Sequence, residues 1–193
     1  MYSTVSIKCF LQELSSEAPY PGGGSAACLV ASIGISLARM VGAILEKKKK
    51  KNSKERTRLA KIRRCLHRLS QFNMEALRAM DGDVKVYKKV VKAYSLPKGT
   101  PGRVVKIQRA LRGGYLFQKN FALLILEASK LLRFLEQSAE GSIASDLILS
   151  KYFLKAGFLG ACQTAKINLK YMKDNSFKQK EAKVLTSLVK RMR

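Results

Sequence analysis

The chain has 193 residues, of which 47% are hydrophobic and 26% charged, with 13 glycines and four prolines. That apolar share belongs to a packed core and excludes a disordered, collagen-like or low-complexity chain, and the length fits a single domain, 1–193. Lys and Arg number 38 against 13 Asp and Glu, a net charge of +25 that points to a polyanionic partner: nucleic acid, an anionic surface, or a ligand rich in carboxylates or phosphates.

In chain order, a short helix starts at Ser3 or Thr4 and ends near Leu14. Ser15 to Gly24 reads as a loop, broken by Pro19, Pro21 and three glycines. Ser25 stands where the N-cap of the next helix belongs. Ala26 to Leu45 approaches the ~20 residues that span a bilayer. Arg39 interrupts it, however, and Leu29, Ile33, Leu37, Met40, Val41 and Ile44 recur at helical spacing, which favours a helix buried in a bundle over a membrane span. A basic hinge, Glu46 to Ser53, follows. Ser53 caps a helix in which Leu59, Ile62, Leu66, Leu69, Phe72, Ala76 and Met80 form a stripe, until Asp81-Gly82-Asp83 interrupts it. Val84 to Tyr94 reads as a further helix, and 95–102, with two prolines and two glycines, as a break. A helix runs from Val104 to Gln137, bent at Gly113-Gly114. Ala139 to Ser145 is a connection, Ser145 caps a helix over Asp146 to Lys173, and a last helix covers Phe177 to Met192. No alternating strand pattern exceeds a few residues, so the fold class is all-α, a bundle of long helices.

Cys9, Cys28, Cys65 and Cys162 are widely spaced, and His67 is the only histidine. This argues against a zinc site and against a histidine-based nucleophilic triad, and no metal is expected. Free buried thiols and an N-terminus without a basic-then-apolar leader pattern lead to the expectation of a reducing, cytoplasmic location. The positive charge falls in three segments. Glu46 to Arg68 holds 12 Lys/Arg and two acids, Asp83 to Lys119 ten and one, and Lys166 to Arg193 nine and two. Such segments are either solvated lysine-rich faces or an anion-attracting field. Tyr87, Tyr94 and Tyr115 fall among the lysines, but no recognised nucleic-acid-binding signature is present.

Pro21-Gly22-Gly23-Gly24-Ser25-Ala26-Ala27 is the most informative segment. Its glycines permit positive φ and close backbone approach. Ser25 and the free N–H groups of a helix start suit an anion or carboxylate. The same pattern also serves simple packing, and it is not a Walker loop. Further on come Arg39-Met40-Val41, Asp81-Gly82-Asp83, Tyr94-Ser95-Leu96-Pro97-Lys98-Gly99, Ser145-Asp146-Leu147, Gly157-Phe158-Leu159-Gly160 and Ile167-Asn168-Leu169-Lys170. In this order and spacing the set resembles the cyclodeaminase/cyclohydrolase family.

That resemblance implies an all-helical homodimer acting on one-carbon derivatives of tetrahydrofolate, with no permanently bound cofactor. The reaction is either cyclodeamination of 5-formiminotetrahydrofolate or hydrolysis of methenyltetrahydrofolate to 10-formyltetrahydrofolate. Because the motifs fill the chain, a free-standing cyclohydrolase is favoured. Both reactions pass through a tetrahedral carbon bonded to N5 and N10. A fixed carboxylate stabilises the methenyl amidinium cation, and a positioned acid/base handles water or ammonia. The residues that match the family's acidic positions are Asp83 and Asp146, with Lys98 as an anion contact or proton donor. Asp81 can exchange roles with Asp83, and helix capping is the alternative role for both Asp83 and Asp146. Pro21, Gly22, Gly23, Gly24, Ser25 and Ser145 are the expected substrate contacts. Lys47 and Lys48 would hold the carboxylates of a glutamate tail as point charges. The alternative is a catalytically altered family scaffold that binds RNA or another polyanion through its basic surface; no membrane partner is expected.

Overall fold

The structure, a computed structural model, describes residues 1–47 and 53–192. A 3₁₀ turn, Tyr2–Thr4, precedes six α-helices: α1 (Ile7–Leu14), α2 (Gly23–Lys47), α3 (Ser53–Tyr94), α4 (Arg103–Glu136), α5 (Ser142–Lys170) and α6 (Asn175–Arg191). Among the described residues there is no strand. Four of the helices form an up-and-down bundle in which α2 packs on α3 and α5, and α4 packs on the same two from the opposite side. α6 covers α5 and α4 at one end. The core is filled by Ile35 and Ala38 of α2, Leu69 and Ala76 of α3, Ile125 and Leu132 of α4, and Leu154 and Phe158 of α5, all fully buried.

The seam between α2 and α5 explains the Ala/Gly-rich composition of α2. A Cβ on Gly157 would meet Ala27 O at 2.9 Å, and one on Gly34 would meet Ser150 O at 3.0 Å, so neither position has room for a side chain. Ser150 Oγ donates to Gly34 O across this contact at 2.6 Å. Among the described residues α2 is the one helix long and apolar enough to cross a membrane, and half of its most apolar stretch is buried in the bundle. The rest forms an outward stripe, in which Ile33, Met40 and Ile44 are exposed and Leu29 and Leu37 partly so. Leu149, Tyr152 and Leu159 of α5 are exposed as well.

The structure revises several boundaries. Asp81-Gly82-Asp83 does not interrupt a helix, because α3 runs through it for 42 residues. Asp and Gly weaken helices by offering the backbone local alternatives and freedom, and here both aspartates are bound elsewhere. Asp81 accepts the Tyr2 N–H and the Ser3 hydroxyl, each at 2.5 Å. Gly82 lies against the Phe117 ring, where a Cβ would approach to 2.7 Å. α1 is capped by Ser6, whose side chain accepts from Cys9 N. α5 starts at Ser142, which moves Ser145 and Asp146 inside the helix, with Ser145 Oγ donating to Ser142 O at 2.6 Å. α6 starts after Asp174, whose side chain accepts from Phe177 N. Cys28, Cys65 and Cys162 are buried free thiols, and Cys9 is half-buried.

Candidate functional site

The glycine turn meets α3 at a half-buried carboxylate, that of Asp83. α2 begins at Gly23, so Ser25 lies in the first turn rather than at the N-cap. It is fully buried. Its hydroxyl stands 3.0 Å from Met80 O and 3.1 Å from Asp83 Oδ2. Gln118 of α4 donates from Nε2 to Asp83 Oδ1 at 2.6 Å. None of the three turn glycines has positive φ; among the described residues that conformation occurs at Gly102 and Gly141. What Gly24 supplies is space: a Cβ there would lie 2.3 Å from Asp83 Oδ1 and 2.5 Å from Gln118 Nε2.

Burial pushes the Asp83 carboxyl above its ordinary range, partly offset by hydrogen bonds from Gln118 and from the side chain and backbone of Ser25. The start of α2 also points partial positive charge at this group. Burial, with the Asp83 charge behind it, drives the Cys28 thiol well up, so that sulfur is an inert neighbour. Gln118 is 1% exposed, and its Oε1 has no hydrogen-bond partner. An amide so deeply placed, with one end on a carboxylate and the other unspent, fixes the carboxylate's orientation.

Asp83 forms one wall of a cavity of about 290 Å³. The loop residues Tyr20 and Gly22–Gly24 form a second wall, and Thr164, Ile167 and Asn168 of α5 a third. Tyr87, one turn after Asp83, closes the rim. Asn168 is held by a bond from its Nδ2 to Thr164 O at 3.0 Å and lies against Gly114 of α4, where a Cβ would come within 2.7 Å of Asn168 Oδ1. The volume is at the lower end for ligand sites, room enough for a ring system. A carboxyl with a raised pKa at the wall of such a cavity holds a proton more readily than an ordinary carboxyl, which suits it to acid/base work. Among the described residues no group of three or more His, Cys, Asp or Glu stands together to hold a metal ion.

Gly22, Gly23, Gly24 and Asp83 therefore meet at one cavity. Buried Pro21 and Ser25 support it from behind. Asp81 does not reach it, because its carboxylate is bound by the N-terminal turn. Lys98 lies exposed on the α3–α4 connection and is not part of the cavity wall. Asp146 and Ser145 are on the right helix but at its other end. Asp146 is about 27 Å from Thr164 along the axis at ~1.5 Å per residue. Lys47 is exposed at the far end of α2, about 35 Å from Gly24 on the same basis. Lys48 lies outside the described residues. Sequence reasoning missed Gln118, although it left a signal. On α4 the buried stripe runs Leu111, Tyr115, Gln118, Ala122 and Ile125, and a glutamine at a core position is an anomaly that asks for a partner.

A helical bundle with a half-buried carboxylate beside a glycine turn, opening on a ring-sized cavity, defines the class: an all-α bundle with a cavity at one end. The chain matches the family model described as formiminotransferase-cyclodeaminase over residues 6–186, and it belongs to that family. It is 29% identical to the formimidoyltransferase-cyclodeaminase of Rattus norvegicus over 95% of its own length and 34% of the relative's. The chain thus spans about a third of the length of the curated formimidoyltransferase-cyclodeaminases it matches. It is 28% identical to the methenyltetrahydrofolate cyclohydrolase of Methylorubrum extorquens, covering 98% of this chain and 91% of that protein. The solved formiminotetrahydrofolate cyclodeaminase of Thermotoga maritima superposes with a TM-score of 0.86 at 22% identity, covering 100% of this chain and 92% of that one. That superposition establishes a shared fold.

Proposed function

We propose that the protein interconverts one-carbon derivatives of tetrahydrofolate at the Asp83 cavity, by hydrolysing methenyltetrahydrofolate, by cyclodeaminating 5-formiminotetrahydrofolate, or both. The observation that carries this is the Asp83 carboxyl: desolvated, oriented by Gln118 and Ser25, and set in the wall of a cavity that admits a ring. In its ionised form it stabilises an amidinium cation and accepts a proton from attacking water. In its protonated form it gives a proton to departing ammonia. Relatives named for each of the two reactions align along nearly the whole chain.

The active form is a homodimer built on the outward faces of α2 and α5. The exposed α2 stripe from Leu29 to Ile44 is about 23 Å long, and a stripe of this kind is costly to leave in water. Symmetry then gives Asp146 a place. α2 and α5 are antiparallel, with Ala31 against Gly157 and Gly34 against Leu154. The same spacing sets Asp146 beside Gly42. A twofold axis crossing α2 between Ile33 and Leu37 carries Asp146 of the partner subunit to the level of Cys28, about 6 Å along the axis from Gly24. Each cavity would then use Asp83 from one chain and Asp146 from the other.

The test is loss of methenyltetrahydrofolate absorbance and release of ammonia from 5-formiminotetrahydrofolate by the purified protein. Asp83→Asn should lower whichever rate is present by about 100-fold or more. No rate above background with either substrate would end the proposal. Mixing Asp83→Asn with Asp146→Asn subunits should restore part of the lost activity, because one of the two shared sites in a mixed dimer is intact. Absence of rescue would place the two groups in separate roles.

A further inference from the structure

The end of the bundle that carries the cavity also gathers two of the three basic segments, Asp83 to Lys119 and Lys166 to Arg193, because α6 and the end of α5 pack beside the start of α4. Three acids fall in these segments against 19 Lys and Arg; each is engaged by a neighbour, and of the three Asp174, beside Lys173, stands in the wall of a basic cleft. Asp83 is bound by Gln118 and Ser25. Asp174 caps α6 through the Phe177 N–H at 2.9 Å. Glu181 is buried, accepting from Lys119 Nζ at 2.8 Å and from the Tyr115 hydroxyl.

The uncompensated cations line clefts rather than a flat face. Lys89 and Lys92 of α3 and Lys106 and Arg109 of α4 surround a cleft of about 530 Å³ whose floor includes Val86, Ala93, Leu96 and Ala110. Arg109 also lines a second cleft of about 490 Å³, with Arg112, Lys173 and the Phe177 ring. Arg112 stacks on that ring at 4.4 Å. A third cleft of about 410 Å³ continues along α5 and α6, with Lys166, Lys170 and Lys178 over Leu169 and Leu185. Two tyrosines flank the row: Tyr94, 44% exposed at the end of α3, and Tyr171, 57% exposed at the end of α5. Both backbones are pinned to α4, Tyr94 O by Arg103 Nη2 at 3.0 Å and Tyr171 O by Gln108 Nε2 at 3.4 Å.

We propose that this row of clefts is a binding site for single-stranded nucleic acid. A single strand alternates anionic phosphates with flat, largely apolar bases. Here cation rims alternate with apolar floors, and exposed aromatic rings stand beside them as stacking platforms. An anionic lipid surface is the poorer fit, since binding there needs a continuous apolar face that projects outward, whereas Val86, Ala93, Leu96, Ala110, Leu169 and Leu185 are buried or half-buried and, of the larger apolar side chains in the cleft walls, Val104 and Val105 stand exposed beside them. No residue of the Asp83 cavity lines any of the three clefts. The site therefore stands or falls separately from the folate chemistry.

The probe is a 5′-fluorescein 20-mer of oligouridylate, followed by anisotropy between 50 and 200 mM KCl, with the oligothymidylate 20-mer as second probe. Binding should weaken steeply with salt, by a slope of about −0.7 per phosphate contacted. The triple variant Lys106→Ala/Arg109→Ala/Arg112→Ala should lose at least about 10-fold in affinity. Its control, Lys61→Ala/Arg64→Ala/Arg133→Ala, removes equal charge from the opposite end and should lose less than about 3-fold. Equal losses in the two triples would reduce the binding to net charge and overturn the site. Tyr94→Ala and Tyr171→Ala should each weaken binding about 5-fold or more, with Phe at either position restoring it. Unchanged affinity in both alanine variants would remove the stacking role and with it the assignment to a single strand. Flotation with phosphatidylserine vesicles, in the absence of oligonucleotide binding, would assign the surface to lipid instead. Circular dichroism melting of each variant keeps loss of fold apart from loss of contact.

Discussion

Gly24→Ala puts one methyl group where the structure leaves no volume. The new Cβ would lie 2.3 Å from Asp83 Oδ1, 2.5 Å from Asp83 Cγ and 2.5 Å from Gln118 Nε2, whereas ordinary contact begins near 3.4 Å. The carboxylate must therefore move by about 1 Å. It cannot swing freely, because Ser25 holds one oxygen and Gln118, itself buried, holds the other. Breaking the Gln118–Asp83 bond in a desolvated setting costs about 1.5–3 kcal/mol. Crowding a packed site costs about 1–3 kcal/mol, and replacing glycine returns at most about 1 kcal/mol through the unfolded chain. The balance is a loss of about 1.5–5.5 kcal/mol, a fall in Tm of about 3–20 °C at about 2–4 °C per kcal/mol for a chain of this size. A carboxyl displaced by 1 Å should lower kcat/KM by about 100-fold. Differential scanning calorimetry and a methenyltetrahydrofolate absorbance assay read the two effects. Gly23→Ala is the control, since nothing lies within 4 Å of a Cβ there; its melting temperature should stay within about 2 °C of the parent. If Gly24→Ala melted and turned over like the parent, the close approach of α2 to Asp83 would not be what that glycine is for.

Three further outcomes follow from the same structure. The Asp83 carboxyl sits above its unfolded value, so its contribution to folding is full at low pH and is lost as pH rises through the raised value. The parent should accordingly gain in Tm relative to Asp83→Asn as pH falls from 7 to 4, and a pH-independent difference would contradict the burial assigned to it. At Glu181, burial pushes the carboxyl up, but Lys119 and Tyr115 outweigh it and hold the group below its ordinary value. Its contribution is present above that value and disappears as pH falls through the lowered one, so Glu181→Gln should cost about 1–3 kcal/mol at pH 7 and little at pH 3 by urea denaturation. Ile33→Glu/Met40→Glu charges the exposed α2 stripe and should leave a folded monomer of reduced turnover by light scattering and assay, whereas a parent already monomeric at micromolar concentration would refute the proposed assembly.

The helix class and the order of the helices were legible because stripes such as Leu59-Ile62-Leu66-Leu69 repeat at helical spacing and strand alternation is missing. The continuity of α3 was not, because a helix's tolerance of Asp-Gly-Asp depends on what the aspartates bind. Asp81 binds residues 78 and 79 positions away, and Asp83 binds residues 58 and 35 positions away. Ser25 was recognised as special but misplaced by three residues, since α2 starts at Gly23 and carries Ser25 into its first turn against α3. Asp83 and the glycine turn were singled out by the order and spacing of motifs that resemble the family's, since neither local pattern is specific alone. Gln118 and Thr164 were not, since each owes its place at the site to packing that brings α4 and α5 against the turn.

On α4, neighbouring side chains face opposite tasks. Gly114 makes room for Asn168 in the cavity wall, and the next residue, Tyr115, holds Glu181 of the last helix. One turn on, Gln118 orients Asp83, and Lys119 returns to the same glutamate. Cavity and C-terminal helix thus share a single rigid spacer, and neither can loosen without registering on the other. A bound ligand that immobilises these two turns should slow amide exchange throughout α6, and clipping the chain ahead of Asp174 should blunt catalysis at a carboxylate those last residues never touch.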